Sequence, residues 1–492
     1  MNFIVIMNDT LRPDFLSAYG NDWVHTPASA AFAQRAAVFD NCYVGSFPTI
    51  PNRTDLFTGR FGEPFHPWLP LSYDETTLVD RMRENGYVTQ LICDTPHMIQ
   101  GGHNFDYPFH AWEMIRGNEV DRYGMDHDPV AFPFKDFSKV NAWKQNIHTS
   151  QYIRSARGRR VEEDWTPYKT YQTAINWLQR NWRHEKFFLW IDGFDPHEPQ
   201  LPPQQYMDLY QPGYQGDMFL AGVPDPSRLT EAEMRNIKAR YAGMVTFVDR
   251  LVGRLLQTLE DLRIADKTCV VWISDHGTQL GENGAVLEKN CAFNPTARQV
   301  MMVRAPAASA GGRQAAGKHF SDLVQHADLA PTLLDLAGLP VPDRMQGWSF
   351  LPLLRGKPYN GRQTALSAGG LVIAPAAKGR NLRIVARDQR WVLRDAPNPA
   401  DRILNDIAND PAQTRNVAVE HPEEVQRLHE AVLDFLRAHE AQPPLIRLFE
   451  TGNPGDLTGY VARRPGCENF RAYFSNCYYS PILPDPTGPG AH

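Results

Sequence analysis

Cysteine is scarce in this chain, with six residues among 492 (Cys42, Cys93, Cys269, Cys291, Cys467 and Cys477) and no CxxC pair. That scatter excludes a disulfide framework and points to a reducing compartment. An excess of basic charge is missing too: 50 basic against 56 acidic side chains leave a net charge of -6, so no nucleic-acid-binding face is expected. No apolar run approaches the roughly 18 residues needed to cross a bilayer. The N-terminus has no basic stretch followed by a removable apolar segment, because Phe3–Met7 runs straight into Asn8 and Asp9. These absences predict a cytoplasmic protein with neither a membrane nor a nucleic-acid partner. What is present is ordinary globular material, 42% hydrophobic and 22% charged, with 11 Trp, 25 Phe and 18 Tyr to fill a sizeable core.

Short apolar runs bounded by polar or turn residues read as buried parallel strands: Phe3–Met7, Tyr87–Cys93, Lys186–Ile191, Thr268–Ile273 and Val300–Val303. Helical patterns lie between them. Thr77–Asn85 ends at Gly86, a natural helix terminator. A longer helix opens at Thr230, where Glu233 completes a capping box, and places Met234, Ile237, Tyr241, Met244, Val248, Leu251, Leu255 and Leu259 along one face. Strands alternating with helices predict an α/β fold, a mostly parallel sheet covered on both sides. Further on, Leu382–Ala386 and Arg390–Leu393 predict a small antiparallel sheet, followed by a helix over Pro422–His439. Length allows about three domains at roughly 150 residues each. The expected division is a large unit over residues 1–358, a small α+β unit over 359–441 and a tail over 442–492. The tail holds eight prolines and seven aromatics, and aromatic residues are unusual in disorder, so it is expected to cover a surface, most simply in a homo-oligomer. The charged, irregular stretch Asn118–Trp165 reads as an insertion.

Three segments could carry chemistry. Asp9 follows the first strand, where ligands gather in parallel α/β sheets, although a lone Asp there is as often a helix cap. Asp275-His276-Gly277 follows another strand and adds a carboxylate and an imidazole, a mixed oxygen and nitrogen set that suits Mn²⁺, Zn²⁺ or Fe²⁺. Thr49-Ile-Pro51-Asn52-Arg53 puts a hydroxyl and a guanidinium at the start of a helix-like segment, where an oxyanion can be held. Taken alone, it is also an ordinary Thr cap beside a solvated Arg.

In combination these segments resemble the sulfatase branch of the alkaline phosphatase superfamily. Asn8-Asp9-Thr-Leu-Arg12-Pro-Asp14 is similar to that family's opening metal motif. Thr49-Ile-Pro51-Asn-Arg53 followed by Leu-Phe-Thr-Gly59 falls on its C-x-P-x-R and L-x-T-G signature. Phe194-Asp-Pro-His197-Glu-Pro resembles its histidine motif, and Ser274-Asp275-His276-Gly277 with Lys289 its second metal and lysine motif. The late motifs around Asp328–Thr332 and Gln346–Leu351 extend the resemblance, which runs from about residue 2 to 440. The Asp-His pair is similar to the phosphonate monoester hydrolase and phosphodiesterase group, where many calcium sulfatases carry Asp-Asn.

The resemblance implies an alkaline phosphatase-like fold and one divalent metal ion. Asp9, Asp275, His276 and Thr49 would hold that ion, with Mn²⁺, Zn²⁺ or Fe²⁺ favoured over Ca²⁺. It makes Thr49 the nucleophile, Arg53 its stabiliser, and His197 and Lys289 the groups that hold substrate oxygens or help the leaving group depart. Asn8, Thr95 and His97 would face a small-molecule ester substrate; Thr95 and His97 fall where sulfatases often have Lys and His. One departure stands out. The family signature begins with a Cys that is oxidised to formylglycine, whereas this chain has Thr49, and Cys42 lies outside the motif. No formylglycine is expected. A hydrated formylglycine discards sulfate by elimination, a route closed to a threonine ester, so Thr49 moves the expectation from sulfate towards phosphate mono- and diesters. An unmodified-Thr sulfate hydrolase and a catalytically silent binding protein are the alternatives.

Overall fold

A computed structural model describes residues 1–62, 64–100, 102–121, 123–124, 128–140, 149–306, 314–369 and 382–456. Among the described residues the strands are β1 (Asn2–Asn8), β2 (Ala37–Tyr43), β3 (Ser46–Phe47), β4 (Val88–Cys93), β5 (Ala111–Met114), β6 (Phe187–Gly193), β7 (Thr268–Ser274), β8 (Gln279–Leu280), β9 (Val286–Glu288), β10 (Arg298–Gln299), β11 (Met301–Arg304), β12 (Lys318–Gln325), β13 (Ala365–Gly369), β14 (Ile384–Arg387), β15 (Trp391–Asp395) and β16 (Ile403–Asp406). The large sheet has the order β10-β2-β11-β7-β1-β6-β4-β5, with β12 also paired to β2. Its middle, β7-β1-β6-β4-β5, is parallel throughout, while β10 and β11 run antiparallel to β2. This is the mostly parallel α/β sheet that the strand pattern predicts.

The central strands read as continuous apolar runs because both faces are covered. Every residue of β1, β6 and β7 is buried. Ile4 and Ile6 of β1 pack into one core with Tyr241, Val248 and Leu255 of the helix Glu231–Asp261. Phe3, Val5 and Met7 face the other core, with Leu56 and Phe57 of the helix Thr49–Thr58 and Leu333 and Leu334 of the helix Leu329–Ala337. The long helix begins as its sequence predicts: Glu233 N donates to Thr230 Oγ1 at 3.2 Å, and Thr230 N donates to Glu233 Oε2 at 2.7 Å.

The second sheet has the order β16-β15-β14-β13-β3 and is antiparallel except where β13 pairs with β3. The sequence predicts two of its strands and the helix Pro422–Ala438, but not the last partner, which comes from the segment just before Thr49. Its core reaches the same region, since Phe61 and Phe65 pack on Phe435 at ring separations of 5.3 and 5.1 Å. The tail opens as a helix, Pro443–Thr451, whose Leu445, Leu448 and Phe449 are buried in that core. Six of its seven aromatics, Tyr460 to Tyr479, lie outside the described residues. No helix among the described residues is long and apolar enough to cross a membrane.

Candidate active site

Parallel strands end at one edge of a sheet, so the residues that follow them meet there. β7, β1, β6 and β4 bring Asp275 and His276, Asp9 and Thr10, Asp192, and Asp94 and Thr95 side by side. Thr49 arrives from the opposite direction as the first residue of its helix. The helix is pinned by Asp55, whose carboxylate accepts from Ser46 N and Ser46 Oγ, both at 2.7 Å. Gly45 is required at this crossing, because a Cβ there would lie 2.6 Å from Asp55 Oδ2 and from the Phe61 ring. His326 adds a second tie: its ring meets Asn52 Nδ2 at 2.6 Å and the Ser274 carbonyl at 2.8 Å.

Arg53 lies one turn below Thr49 on the same helix face and is fully buried among three carboxylates. Its Nη1 is 3.2 Å from Asp9 Oδ2 and donates to Asp275 Oδ2. Its Nη2 and Nε donate to Asp192 at 2.8 and 3.3 Å. Thr49 Oγ1 sits 3.1 Å from His276 Nε2. His276 Nδ1 lies 3.0 Å from the Gly277 carbonyl, which places the ring proton on Nδ1 and leaves the Nε2 lone pair facing Thr49. Thr10 is held at φ 65°, a costly conformation for a β-branched residue. There its N–H donates to Asp275 Oδ1 at 3.0 Å and its hydroxyl to Asp9 Oδ1 at 2.8 Å.

Asp9, Asp275 and His276 offer one ligand atom each within 4.8 Å of one another, the arrangement that suits a metal ion. Two further observations fit one. Asp9 Oδ2 is buried and, among the described residues, accepts no hydrogen bond; the Arg53 guanidinium lies 3.2 Å from it. Burial, and then the charge of Asp275, push the Asp9 carboxyl well above the usual range. Asp275 is also penalised by burial but is pulled below that range by His276 and Arg53. Two adjacent buried carboxylates cannot both ionise cheaply, and a dication between them removes that conflict.

A second ring of groups surrounds this cluster. The His197 ring lies 6.2 Å from that of His276 and stacks on Phe194 at 4.2 Å. Its Nδ1 is 2.5 Å from the Glu198 carbonyl, and burial lowers its pKa to about 3, so the resting imidazole is neutral. Lys289 Nζ donates to Glu198 Oε1 at 2.5 Å; burial works against the charged ammonium, and Glu198 more than offsets it. His97 Nε2 is 2.8 Å from Glu119 Oε2. Two residues expected to face substrate are engaged elsewhere. Asn8 donates to the Asp195 carbonyl and accepts from Tyr171 and Trp272, each at 3.1 Å, on the core side of the sheet. Thr95 donates to Asp192 Oδ1 at 2.6 Å and so supports the anchor of Arg53. The sequence reading did not single out Asp192, Glu119, Glu198 or His326. Asp192 obeys the same strand-end rule as Asp9 and was discoverable; Glu119 lies in the stretch read as an insertion, and no local signal marks it.

The sulfatase family model matches residues 1–339, well over half of the sequence. The chain belongs to the sulfatase family. The model for the C-terminal part of N-sulphoglucosamine sulphohydrolase matches residues 281–439. This sulfatase-family chain is 28% identical over 445 residues to iduronate 2-sulfatase from Mus musculus, covering 82% of this chain and 79% of that protein. It is 25% identical over 383 residues to an arylsulfatase from Clostridium perfringens, covering 72% and 78%. Its fold is similar to that of phosphonate monoester hydrolase from Agrobacterium radiobacter, with a TM-score of 0.71 at 22% identity over 89% of this chain and 96% of that one. The protein is therefore an ester hydrolase of a metal-dependent family, with a possible Asp/His metal site.

Proposed function

We propose that this sulfatase-family hydrolase cleaves phosphate or phosphonate esters, with unmodified Thr49 as its nucleophile. The observation that carries the reading is the position of Thr49 Oγ1, at the helix N-terminus, 3.1 Å from His276 Nε2 and one turn from Arg53. Cys42, which lies outside the motif, is buried in the core of the large sheet. A divalent ion held by Asp9, Asp275, His276 and Thr49 would act as a Lewis acid, lowering the pKa of the hydroxyl and offsetting charge on the substrate oxygens. The donor set of two carboxylates, one imidazole and one hydroxyl favours Mn²⁺, Zn²⁺ or Fe²⁺ over Ca²⁺.

The side chains divide the remaining work. Thr49 Oγ1 attacks phosphorus in line and forms a covalent ester. Arg53 is held by Asp192 with its Nη1 towards Asp9 and Asp275, a fixed charge that needs no reorganisation as the oxyanion develops. Lys289, kept charged by Glu198, donates a hydrogen bond to a substrate oxygen. His197 is neutral at rest, so it must take up a proton before it can give one to the leaving oxygen, and the Thr49 hydroxyl proton is the one released first. Water then cleaves the threonine ester at phosphorus, because the alkyl side chain offers no elimination route.

The names of the sulfatase relatives favour a second reading, sulfate-ester hydrolysis by the same Thr. Turnover of matched 4-nitrophenyl phosphodiester, phosphonate and sulfate esters separates the two. The expected outcome is faster cleavage of a phosphorus ester, and a fall in kcat of at least about 10³-fold in Thr49→Ala. Faster cleavage of the sulfate than of every phosphorus ester would overturn the proposal.

A further inference from the structure

The turn that carries His197 rests on a buried acid with no part in the chemistry above. Asp94 follows β4 and is fully buried. Its Oδ1 accepts from Phe194 N at 2.5 Å, and its Oδ2 lies 2.7 Å from Thr170 Oγ1, on the helix Thr166–Asn181. Phe194 stacks on His197, with ring centroids 4.2 Å apart and planes 30° from parallel. One hydrogen bond and one ring contact thus separate the Asp94 carboxyl from the His197 imidazole. Among the described residues Asp94 forms no ion pair. The charges that act on it most are those of Asp195, one residue past Phe194, and Asp192.

These surroundings suit the protonated acid. Thr170 Oγ1 is also 3.0 Å from the Thr166 carbonyl. A proton on Asp94 Oδ2 can be donated to Thr170 Oγ1 while the Thr170 hydroxyl donates to that carbonyl, so each donor has an acceptor. Ionised Asp94 would set a second carboxylate against Asp195 across the turn, where burial makes repulsion costly. Burial, and then Asp195, hold the Asp94 carboxyl up at about 8. Asp195, also raised by burial, stops at about 6, where Asn118 Nδ2 donates to it at 3.2 Å. Near neutral pH, therefore, Asp195 carries a charge and Asp94 carries a proton.

We propose that Asp94 is a positioning residue of the hydrolase: in its uncharged form it holds the Phe194 amide and, through the stacked Phe194 ring, fixes the direction of the His197 imidazole. The inference rests on the leaving-group role given to His197 above. Its first readout is magnetic resonance of that ring, so the two can fail separately.

The Zn²⁺-loaded full chain is labelled with ring-¹³C histidine, and the His197 signal is assigned by its loss in His197→Gln. The His197 pKa is held to about 3, so between about pH 7 and pH 9 its signal reports its surroundings and not its own charge. Of the titratable groups that face Asp94, Asp195 has already ionised there, Asp192 is paired with Arg53, and burial pushes the Tyr171 and Cys93 protons up out of range. His97 faces the Phe194 ring from the other side at 5.6 Å, and the comparison with Asp94→Asn subtracts its contribution. The wild-type signal should move with a midpoint near pH 8 as Asp94 ionises. Asp94→Asn keeps an acceptor for Phe194 N and a donor for Thr170, and should hold the neutral-pH position throughout.

Asp94→Ala should shift the signal at every pH. It should also lower kcat for a phenyl phosphorus ester about tenfold more than for the 4-nitrophenyl ester, because only the poorer leaving group needs the His197 proton. Asp94→Asn should restore both. A wild-type signal that stays fixed, or one that moves alike in Asp94→Asn, overturns the proposal, and these two proteins decide the matter even if Asp94→Ala does not fold. Equal losses on the two esters in a folded Asp94→Ala overturn it as well. If the signal behaves as expected while His197→Gln cleaves the phenyl ester as fast as wild type, the hold of Asp94 on His197 stands and the leaving-group role of His197 falls.

Discussion

Replacing Asp192 by Asn tests whether the site depends on a residue that touches neither the proposed nucleophile nor the proposed metal. The carboxylate is fully buried and accepts four hydrogen bonds: two from Arg53, one from Thr95 at 2.6 Å and one from Trp190 Nε1 at 3.1 Å. An Asn amide offers one acceptor and one donor. If its NH₂ takes the place of Oδ2, it faces Arg53 Nε and Trp190 Nε1; if it takes the place of Oδ1, it faces Arg53 Nη2. Each orientation sets a donor against the guanidinium. Losing one charge-assisted hydrogen bond costs about 1.5–3 kcal/mol, and unbalancing a buried ion pair costs up to about 3–5 kcal/mol, so a loss of about 2–4 kcal/mol is expected. With Arg53 no longer clamped, kcat/KM for an aryl phosphorus ester should fall about 10²-fold, the scale of one lost oxyanion donor. Denaturant unfolding followed by tryptophan emission reports stability, and Trp190 is a built-in probe because its indole N–H loses an acceptor in one of the two orientations. Thr95→Val is the control: it removes one hydrogen bond to the carboxylate, costs about 1.5–3 kcal/mol, and leaves the fork on Arg53 and therefore kcat/KM intact. An Asp192→Asn protein within about 0.5 kcal/mol of wild type and with unchanged kcat/KM would refute the claim that Asp192 sets the position of Arg53.

Elemental analysis of protein never exposed to chelator should find close to one transition metal per chain; removing it should abolish turnover and lower the melting temperature, with a stability loss of about 3 kcal/mol if the metal was present at 100 times its Kd. Full activity in the metal-free protein would count against the Asp9, Asp275 and His276 site. Asp94 is raised to about 8 by burial and by the neighbouring Asp195, against about 3.9 in an unfolded chain, so the folded state retains a proton that the unfolded state has released. Metal-free protein should therefore lose stability as pH rises from about 4 to 8, by at most about 1.4 kcal/mol per unit for this one group, and Asp94→Asn should flatten the slope seen in thermal unfolding. We also propose that the aromatic tail serves a homo-oligomer: the full chain and a chain ending at Gly452 should then differ in mass by light scattering, and a monomer in both cases would dispose of the idea.

What the sequence made legible follows from where its signals are local. The five expected strands correspond to β1, β4, β6, β7 and β11 within one or two residues, because each is an apolar run buried on both faces. β2 and β12 were not expected. The run Lys318–Gln325 is half exposed, carries Lys318, His319 and Asp322, and is interrupted by a register shift between Phe320 and Leu323. Asp9, Asp275, His276, Thr49 and Arg53 were readable as motif residues, and the structure brings all five together. Asn8 and Thr95 share those motifs but point into hydrogen bonds within the fold, a distinction that depends on side-chain direction and not on spacing. Glu119 could not be found from the sequence, because it joins the site through a contact with His97 that no local spacing marks.

The pairing of β3 with β13 fixes the order in which the site can be built. Ser46 and Phe47 lie beside Ala368 and Gly369, so the strand that leads into Thr49 waits for a partner made roughly 320 residues later. At a synthesis rate of about 5–20 residues per second, that interval is roughly 15–65 s. During it the large sheet can form its central strands while the segment leading into Thr49 lacks its strand partner. A nascent or truncated chain ending near residue 340 would hold every proposed metal ligand and the His326 tie, and still lack that pairing. Activity should then appear late and all at once during synthesis, a timing that a coupled translation and hydrolysis assay can follow.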